Sequence, residues 1–591
     1  MALIDKRTGL LLLAAGLAVI ASCGGTVETD AGNGAAEWTT YGQNQQRTFF
    51  NAHETHITRD NVSRLRFKWR YLTGAIVTAS PTVVSIEVPG EGRVKVVFVT
   101  SWDGNVYALR AANGSRLWSF RMKPQPGASY PYASSAEVTT VAGEQRVYVG
   151  GGMTVYCLAA ASGELRWQFD AGTGCTDCDS MTERNEVLAS PTVVDNLVYF
   201  SMDVNEGDNA KGGTFAVDAV DGRLVWYFDL ETGVTCRPLA ADAVRRFDGY
   251  HTAAQLGLPD DFFSTRPGCD FDRQGNQCGN VWSTFAVDEQ RKLLYTVSSN
   301  CDSAVVPPMP PYDEAIFALT FDGVPVWKWR PREIDLADLD FGAAPNLFEV
   351  EIGGKSRQVL GVGGKDGTYY LLDRDGVNAI TGNIEPYWHT KVITGGSDGG
   401  ILGSAAVVGG QVFFGTGIGD DIGNFQLPAS WSLNASDGTV SWSNRNLPPS
   451  FGPSTAIPGV AFHGVISSNL VAQATDTGAT LATFGVGGPV SSGAAIVDGE
   501  VFVGAGTGAR EGPPDDQAYQ ASVIPSYVTA LCLADAADCP SQPCDDGNPC
   551  TYDFHDGSTC RSELVLDGLP CKVSGQKGSC QSGVCQPASA G

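Results

Sequence analysis

The stretch NVYALRAANGSRLWSF, residues 105–120, decides the fold of this 591-residue chain. Its first half alternates apolar residues with a period of two, Asn113-Gly114 marks a turn, and Trp118 stands four residues after that glycine. Alternation interrupted by an Asn-Gly or Asp-Gly turn is typical of a β-hairpin. The stretch therefore predicts two antiparallel strands, with a large aromatic ring on the second.

The same pattern recurs along most of the chain. Four further copies place a Trp four residues after a Gly: TVYCLAAASGELRWQF (154–169), GTFAVDAVDGRLVWYF (213–228), AIFALTFDGVPVWKWR (315–330) and SWSLNASDGTVSWSN (430–444). Two weaker copies surround Gly376 and Gly478, where Ile380 and either Ala482 or Phe484 replace the Trp. Each copy follows another pair of strand-like segments, and four strands per repeat predict the blade of a β-propeller. We interpret the Trp as a structural ring wedged between neighbouring blades.

An eighth blade can be assembled from the two ends of the repeat region. Residues 64–71 (RLRFKWRY) carry the Trp strand without its hairpin partner, and residues 526–534 (SYVTALCLA) carry the partner without its Trp. Pairing the two would close the ring and remove its exposed edges. The sequence thus predicts an all-β, eight-bladed propeller over residues 38–537. The long interval between Trp226 and Trp327 indicates an insertion, at about residues 236–279, that covers one face.

The first residues predict export. Lys6 and Arg7 precede an apolar run, residues 9–21, that is too short for a permanent membrane span and is typical of a signal peptide. The following Ile20-Ala-Ser-Cys23 resembles the lipobox of bacterial lipoproteins, in which the Cys becomes lipidated; the alternative is an ordinary signal peptide with a chance Cys. Residues 1–23 are therefore expected to be a lipoprotein signal peptide and residues 24–37 a flexible tether. Because Gly24 is not Asp, the resemblance implies the outer membrane, with the acyl chains as the only membrane attachment.

Charge and cysteine content narrow the class further. A formal net charge of -26 excludes a nucleic-acid-binding protein, which needs a basic surface. Of the 16 cysteines, seven fall in residues 538–591, where apolar alternation ends, so this tail is expected to be a small module stabilised by disulfides. Its DGNPCT stretch resembles disintegrin-like repeats of bacterial surface proteins, which carry a further Cys where this chain has His555. With Cys23 set aside fifteen cysteines remain, and the His555 substitution predicts the odd thiol in the tail. A metal-binding Cys/His cluster is the alternative.

Four stretches carry a family resemblance. Residues 37–69 (EWTTYGQNQQRTFFNAHETHITRDNVSRLRFKW) and SWDGNVYAL after them resemble the quinoprotein alcohol dehydrogenases, and among these the polyvinyl alcohol dehydrogenases. This resemblance implies an exported dehydrogenase that oxidises an alcohol with pyrroloquinoline quinone (PQQ) and Ca²⁺, and a polymeric alcohol such as polyvinyl alcohol is among the substrates it implies.

The resemblance also implies site residues. In NVWSTFAVDEQRKLLYTVSSN, Trp282 matches the floor under PQQ and Asn300, eighteen residues on, a metal ligand. In DLDFGAAPNL, Asp340 matches the catalytic base, which also ligates the metal, and Gly342 stands where lanthanide-dependent relatives carry an extra Asp, so Ca²⁺ is expected. In GVGGKDGTYYLLDR, Lys365 matches a cation placed against the cofactor. Such residue types suit the chemistry, because an alcohol must lose its hydroxyl proton as hydride leaves carbon.

The second metal ligand rests on fewer matching residues. In VYFSMDVNEGDNAKGGTFAVDA, Glu206 occupies the position of the family's ligating Glu, and Lys211 replaces a usual cofactor-binding Arg before Gly. The adjacent Cys pair that covers the quinone in relatives is missing, and Cys175 and Cys178 are two residues too far apart to replace it.

No Cys-x-x-Cys-His motif for c-type haem occurs in the chain, so electrons are expected to pass to a periplasmic cytochrome c or another external acceptor. The alternative function is a non-catalytic propeller lipoprotein that acts as a protein-binding scaffold in outer-membrane assembly.

Overall fold

A computed structural model describes residues 37–124, 130, 132–171, 186–203, 212–237, 280–301, 309–333, 335, 337–397, 399–417, 429–506, 526–540, 544, 546–556, 559–573 and 576–587. The predicted Cys23, Cys175, Cys178, Glu206 and Lys211, and the insertion after residue 237, lie outside these residues. No helix within the described ranges is long and apolar enough to cross a bilayer.

The repeats form eight antiparallel sheets, which confirms the predicted propeller. Blade 1 comprises β2(Thr82–Val88), β3(Gly92–Thr100), β4(Asn105–Arg110) and β5(Arg116–Arg121), and blade 2 comprises β6(Glu137–Val141), β7(Glu144–Gly151), β8(Thr154–Ala159) and β9(Leu165–Asp170). Blade 3 comprises β10(Thr192–Val194), β11(Leu197–Met202), β12(Gly213–Asp218) and β13(Leu224–Asp229), with an added fifth strand β14(Val234–Cys236). Blade 4 comprises β15(Ala286–Asp288), β16(Leu293–Val297), β17(Ile316–Thr320) and β18(Pro325–Trp329).

Blade 5 comprises β19(Asn346–Ile352), β20(Lys355–Gly363), β21(Thr368–Asp373) and β22(Trp388–Lys391), and blade 6 comprises β23(Ala406–Val408), β24(Gln411–Gly415), β25(Ser430–Asn434) and β26(Val440–Asn444). Blade 7 comprises β27(Thr455–Ile457), β28(Val460–Val465), β29(Asn469–Ala474) and β30(Thr480–Gly485). Blade 8 comprises β31(Ala495–Val497), β32(Glu500–Gly504) and β33(Ser526–Leu533), with β1(Leu65–Thr73) as its fourth strand. The strand β1 follows a short 3-10 helix, Val62–Arg64, and pairs antiparallel with β33 from Leu65–Leu533 to Thr73–Ser526. The predicted closure of the ring by the two chain ends is therefore correct.

The tryptophans join neighbouring blades, as predicted. The indole N–H of Trp118 donates to the carbonyl of Ala160 in the next blade (2.8 Å), and Gly163 lies flat on its ring, where a Cβ would come within 2.7 Å. The same pair of contacts recurs at Trp69, Trp167, Trp226, Trp327, Trp388 and Trp442. Truncation of a buried Trp side chain to Ala lowers the free energy of unfolding by about 3–5 kcal/mol. These indole contacts therefore contribute much of the stability that holds neighbouring blades together.

Blade 5 corrects one expectation. Ile380 does not replace the Trp of its repeat: it is 64% exposed, in a loop that lengthens the β21–β22 connection. The ring that docks on blade 6 is Trp388, eight residues further on, against Gly438 and the carbonyl of Ala435. The prediction failed because it assumed a fixed turn length.

Residues 38–51 thread the centre of the ring and contact the inner strand of every blade. The contacts run in blade order through the second residue of each inner strand: Val83, Val138, Val193, Val287, Leu347, Val407, Ala456 and Ile496. Arg47 is completely buried and donates to Phe285 O (2.7 Å), Thr40 Oγ1 (2.7 Å) and Thr192 Oγ1 (2.7 Å). Burial lowers the pKa of Arg47 to about 10, so it stays protonated in spite of its surroundings. This segment occupies the channel beside the inner strands.

The tail forms two small sheets, β34(Thr551–Asp556) with β35(Thr559–Leu564), and β36(Pro570–Val573), β37(Gln576–Gln581) and β38(Val584–Pro587). Its disulfides join Cys544–Cys560, Cys550–Cys580 and Cys571–Cys585. The odd thiol is not in the tail, contrary to the prediction from His555: the seventh tail cysteine, Cys539, bonds to Cys532 of β33. The free cysteine among the described residues is Cys157, buried in blade 2.

Candidate active site

Four predicted site residues lie at one edge of the adjacent blades 4 and 5. Trp282 precedes the inner strand β15 and Asn300 follows the second strand β16 of the same blade. Asp340 and Lys365 occupy the corresponding places in blade 5, before β19 and after β20. Because neighbouring strands are antiparallel, the start of the first strand and the end of the second meet at the same edge of a blade. Residues more than 80 positions apart in sequence therefore share one face of the propeller.

Trp282 presents a fixed, partly exposed indole ring. Its Nε1 donates to Ser299 Oγ, which ties the ring to the residue before Asn300. Gly342 lies directly against the six-membered ring: a Cβ there would come 1.9 Å from Cη2, 2.5 Å from Cζ3 and 2.6 Å from Cζ2. Position 342 therefore accepts only Gly while Trp282 keeps this place. The Nζ of Lys365 lies 5.4 Å from the ring centroid.

Lys365 is held between two carboxylates. Its Nζ donates to Asp338 Oδ1 (2.7 Å) and lies 2.8 Å from Asp340 Oδ1, and its backbone N–H donates to Asp340 O (2.8 Å). Burial alone would lower the pKa of Lys365, but the two carboxylates outweigh it and raise the pKa above its usual range. The ammonium is thus a permanent positive charge beside Asp340.

Asp340 itself is 1% exposed, and its Oδ1 pairs with the Lys365 ammonium at 2.8 Å. A buried carboxylate is costly unless an opposite charge or a ligand compensates it, and one ammonium leaves further lone pairs of the carboxylate available. Such a carboxylate suits a cation ligand or an acceptor of a substrate proton.

Asp338 was not identified from the sequence. It lies two residues before Asp340, with a left-handed backbone at φ 53°, a strained conformation for a residue other than Gly. The turn is held by Asp335, whose side chain accepts the N–H groups of Ala337 and Leu339. Burial, with repulsion from Asp340, raises the pKa of Asp338 to about 6. The DLD spacing was visible in the sequence, but nothing in it placed Lys365 between the two acids.

Further charged side chains, those of Arg332 and Asp313, lie in the loops next to the site. Arg332 pairs with Glu314 and with Asp366 Oδ2 (2.6 Å), and so links blade 4 to blade 5. Asp313 accepts the N–H of Cys301 (2.7 Å), the residue after Asn300. Burial raises the pKa of Asp313 to about 6, and nearby Asp340 adds to this shift. These contacts fix the loops that carry Asn300 and Asp340.

The described residues fit a planar cofactor and a hard cation. Trp282 offers an aromatic face, and Lys365 is a buried cation next to it. Asn300, partly exposed, and Asp340 offer the amide and carboxylate oxygens that Ca²⁺ prefers. Asn300 is positioned through its backbone, since its carbonyl accepts from Asn280 Nδ2 (3.3 Å). Glu206 and Lys211, the other predicted contacts, lie outside the described residues.

The eight-bladed ring and the tryptophan, lysine and aspartate at one edge define a quinoprotein-type propeller. Residues 38–385 match the family described as the PQQ β-propeller domain of glucose, ethanol and alcohol dehydrogenases. The chain belongs to this family.

Individual relatives are distant. The chain is 24% identical over 463 residues to a polyvinylalcohol dehydrogenase of Pseudomonas sp., covering 72% of this chain and 64% of the relative. It is 22% identical over 396 residues to the quinate/shikimate dehydrogenase (quinone) of Acinetobacter baylyi, covering 61% and 45%. The matched region spans less than two thirds of either relative.

Solved structures share the fold. A europium-containing methanol dehydrogenase superposes with a TM-score of 0.63 at 18% identity, over 84% of this chain and 98% of that one. The quinohemoprotein alcohol dehydrogenase from Comamonas testosteroni gives 0.61 at 19% identity, over 86% and 82%.

Proposed function

We propose that this chain is an exported PQQ- and Ca²⁺-dependent dehydrogenase that oxidises an alcohol and passes the electrons to a separate acceptor. The observation that carries the proposal is the arrangement at the edge of blades 4 and 5, where Lys365 lies 2.8 Å from Asp340 and 5.4 Å from the Trp282 ring centroid. A scaffold has no need for a buried carboxylate and a buried lysine next to a partly exposed indole.

Each residue has a definite task in this proposal. Asp340 accepts the hydroxyl proton of the alcohol, and its carboxylate, together with Asn300 and Glu206, holds the cation. Trp282 would support the cofactor ring, Lys365 would bind the cofactor next to it, and Lys211 is proposed as a second cofactor-binding residue. When bound, PQQ supplies the carbonyl group that accepts hydride, and Ca²⁺ polarises that group. Lys365, locked by Asp338, keeps a positive charge where negative charge develops during oxidation.

The substrate is proposed to be a primary or secondary alcohol, and a polymeric one such as polyvinyl alcohol is a candidate because one relative bears that name. The acceptor is proposed to be a periplasmic cytochrome c, since the chain has no haem-attachment motif of its own.

Export with a lipid anchor at Cys23, to the outer membrane, is part of the same proposal. Four disulfides among the described residues, and the disulfide-bonded Cys236 and Cys301, support an oxidising compartment. Metabolic labelling with a palmitate analogue tests the anchor: the label should be lost in a Cys23→Ser variant, and an unlabelled wild-type chain would remove this part of the proposal.

The enzyme is tested by titrating the purified chain with PQQ and Ca²⁺ and following dye reduction with a panel of alcohols that includes polyvinyl alcohol. We expect saturable PQQ binding and turnover with at least one alcohol. In Asp340→Asn the binding should persist while turnover falls about 10²–10⁴-fold, the usual contribution of a general base. Asp375→Asn, an exposed turn acid in blade 5, is the control and should keep full activity. A chain that binds no PQQ would overturn the proposal and leave the protein-binding scaffold as the function to test.

A further inference from the structure

The Cys-rich tail packs along the seam where the propeller ring closes. In blades 1 to 7 the fourth strand is joined to the third strand by its own hairpin. In blade 8 the outermost strand is β1, which comes from the other end of the chain and has no turn to β33. We propose that the tail, residues 538–587, is a clamp that replaces this missing connection and holds β1 in blade 8.

The first anchor is covalent. Cys532, in β33, bonds to Cys539, whereas the other three tail disulfides join tail cysteines to each other. The carbonyl of Cys539 accepts from Nη2 of Arg66 in β1 (2.8 Å). The start of the tail is thus bonded to one strand of the seam and hydrogen-bonded to the other.

The second anchor is a buried cation. Lys68 falls at an irregularity in the pairing of β1 with β33, and its side chain is 1% exposed. Its ammonium pairs with Glu500 of β32 and with Asp538 of the tail (2.8 Å). A buried ammonium needs compensating charge, and the tail supplies one of its two carboxylates.

The third anchor is aromatic and reaches blade 1. Tyr552 of β34 is 4% exposed, and its ring centroid lies 4.9 Å from that of Tyr71 in β1. Its hydroxyl donates to the carbonyl of Asn113 (2.7 Å), in the turn between β4 and β5. A Cβ on Gly114 would meet both the Tyr552 hydroxyl and the ring of Trp69, so Tyr552 flanks the docking contact of blade 8 on blade 1. Glu563 of β35 adds a bond from the N–H of Arg116 (2.8 Å).

The fourth anchor lies at the far end of β1. Leu569 is 5% exposed and packs on Gly74, the residue after β1, where a Cβ would come within 2.7 Å of its Cδ2. Trp69, Tyr71, Tyr552 and Leu569 belong to one apolar cluster. The tail therefore follows β1 from Arg66 to Gly74, along its whole length, as a clamp requires.

Hydrogen–deuterium exchange of the folded protein tests the clamp. Three chains are compared with the wild type: a chain that ends at residue 537, the full-length double variant Cys532→Ala/Cys539→Ala, and Val584→Ala. Val584, 56% exposed on the tail surface, is the matched control. We expect the amides of residues 65–73 to exchange at least tenfold faster in the truncated chain, and severalfold faster in the double variant. The strands β16 and β17 of blade 4, and every strand of Val584→Ala, should exchange as in the wild type.

If the truncated chain does not fold, the double variant decides alone, because it removes one anchor and leaves no unpaired thiol. Exchange in β1 that stays within twofold of the wild type overturns the clamp. A uniform acceleration in all blades also overturns it, because the tail would then contribute only general stability.

Discussion

Gly342 sets the position of the Trp282 ring, and substitution by Ala tests that arrangement. The added methyl carbon would lie 1.9 Å from Cη2, against a carbon–carbon contact distance of about 3.5 Å, so the ring edge or the 340–343 loop must move by about 1.6 Å. Overpacking of this kind costs about 1–3 kcal/mol. A tilted indole also strains the hydrogen bond from Trp282 Nε1 to Ser299 Oγ. It would stack less well on PQQ, and aromatic stacking contributes about 0.5–1.5 kcal/mol.

We therefore expect Gly342→Ala to lower the free energy of unfolding by about 1–3 kcal/mol. We also expect it to weaken PQQ binding by up to about tenfold, because a loss of about 1.4 kcal/mol in binding free energy is a factor of ten in affinity. Chemical denaturation and a fluorescence titration of the purified chain measure the two effects. Gly485→Ala is the matched control, because a Cβ there has nothing within 4 Å. Unchanged stability together with PQQ affinity within twofold of the wild type would refute the packing of Gly342 against Trp282.

Three further predictions concern buried ionisable side chains. Lys365→Met leaves Asp338 and Asp340 without their shared cation, and we expect a loss of about 3–5 kcal/mol in unfolding free energy together with weaker PQQ binding. Equal stability in denaturant would contradict the ion pairs. Arg47→Met should lower the free energy of unfolding by about 3–5 kcal/mol, because it removes the guanidinium from several buried acceptors. The control, Arg59→Met at an exposed position, should leave the thermal melting midpoint almost unchanged. Similar midpoints for the two variants would show that the central segment does not depend on Arg47. Burial lowers the pKa of His463 to about 4, so below pH 6.5 the unfolded chain takes up a proton that the folded chain does not. The free energy of unfolding should therefore fall by about 3 kcal/mol between pH 6.5 and pH 4. A His463→Gln variant whose unfolding free energy keeps the same pH slope would disprove this.

The blade pattern was readable from the sequence because it is local. Alternation, a turn glycine and a tryptophan four residues later lie within one hairpin, so residues 105–120 alone define the unit that is repeated. Closure by β1 and β33 also followed, because each end supplied only part of a hairpin. The same reasoning failed at Ile380, where a longer loop moved the docking ring to Trp388. Turn length varies at little energetic cost, so fixed spacing is a weak guide there.

The candidate site was only partly readable. Trp282, Asn300, Asp340 and Lys365 were identified by family resemblance, and the structure places them at one edge of two blades. Asp338, and the close packing of Gly342 on an indole sixty residues earlier, gave no local signal. Such contacts depend on how two blades face each other.

The sequence by itself therefore determined the number and kind of blades, the seam of the ring and the cysteine-rich character of the tail, since these depend on periodicity and composition within short segments. Only the tertiary structure decided that Cys539 pairs with Cys532, that Cys157 is a free thiol among the described residues, and that Lys365 lies between two aspartates. Each of these depends on the distance between residues that come together only when blades, or blade and tail, have packed.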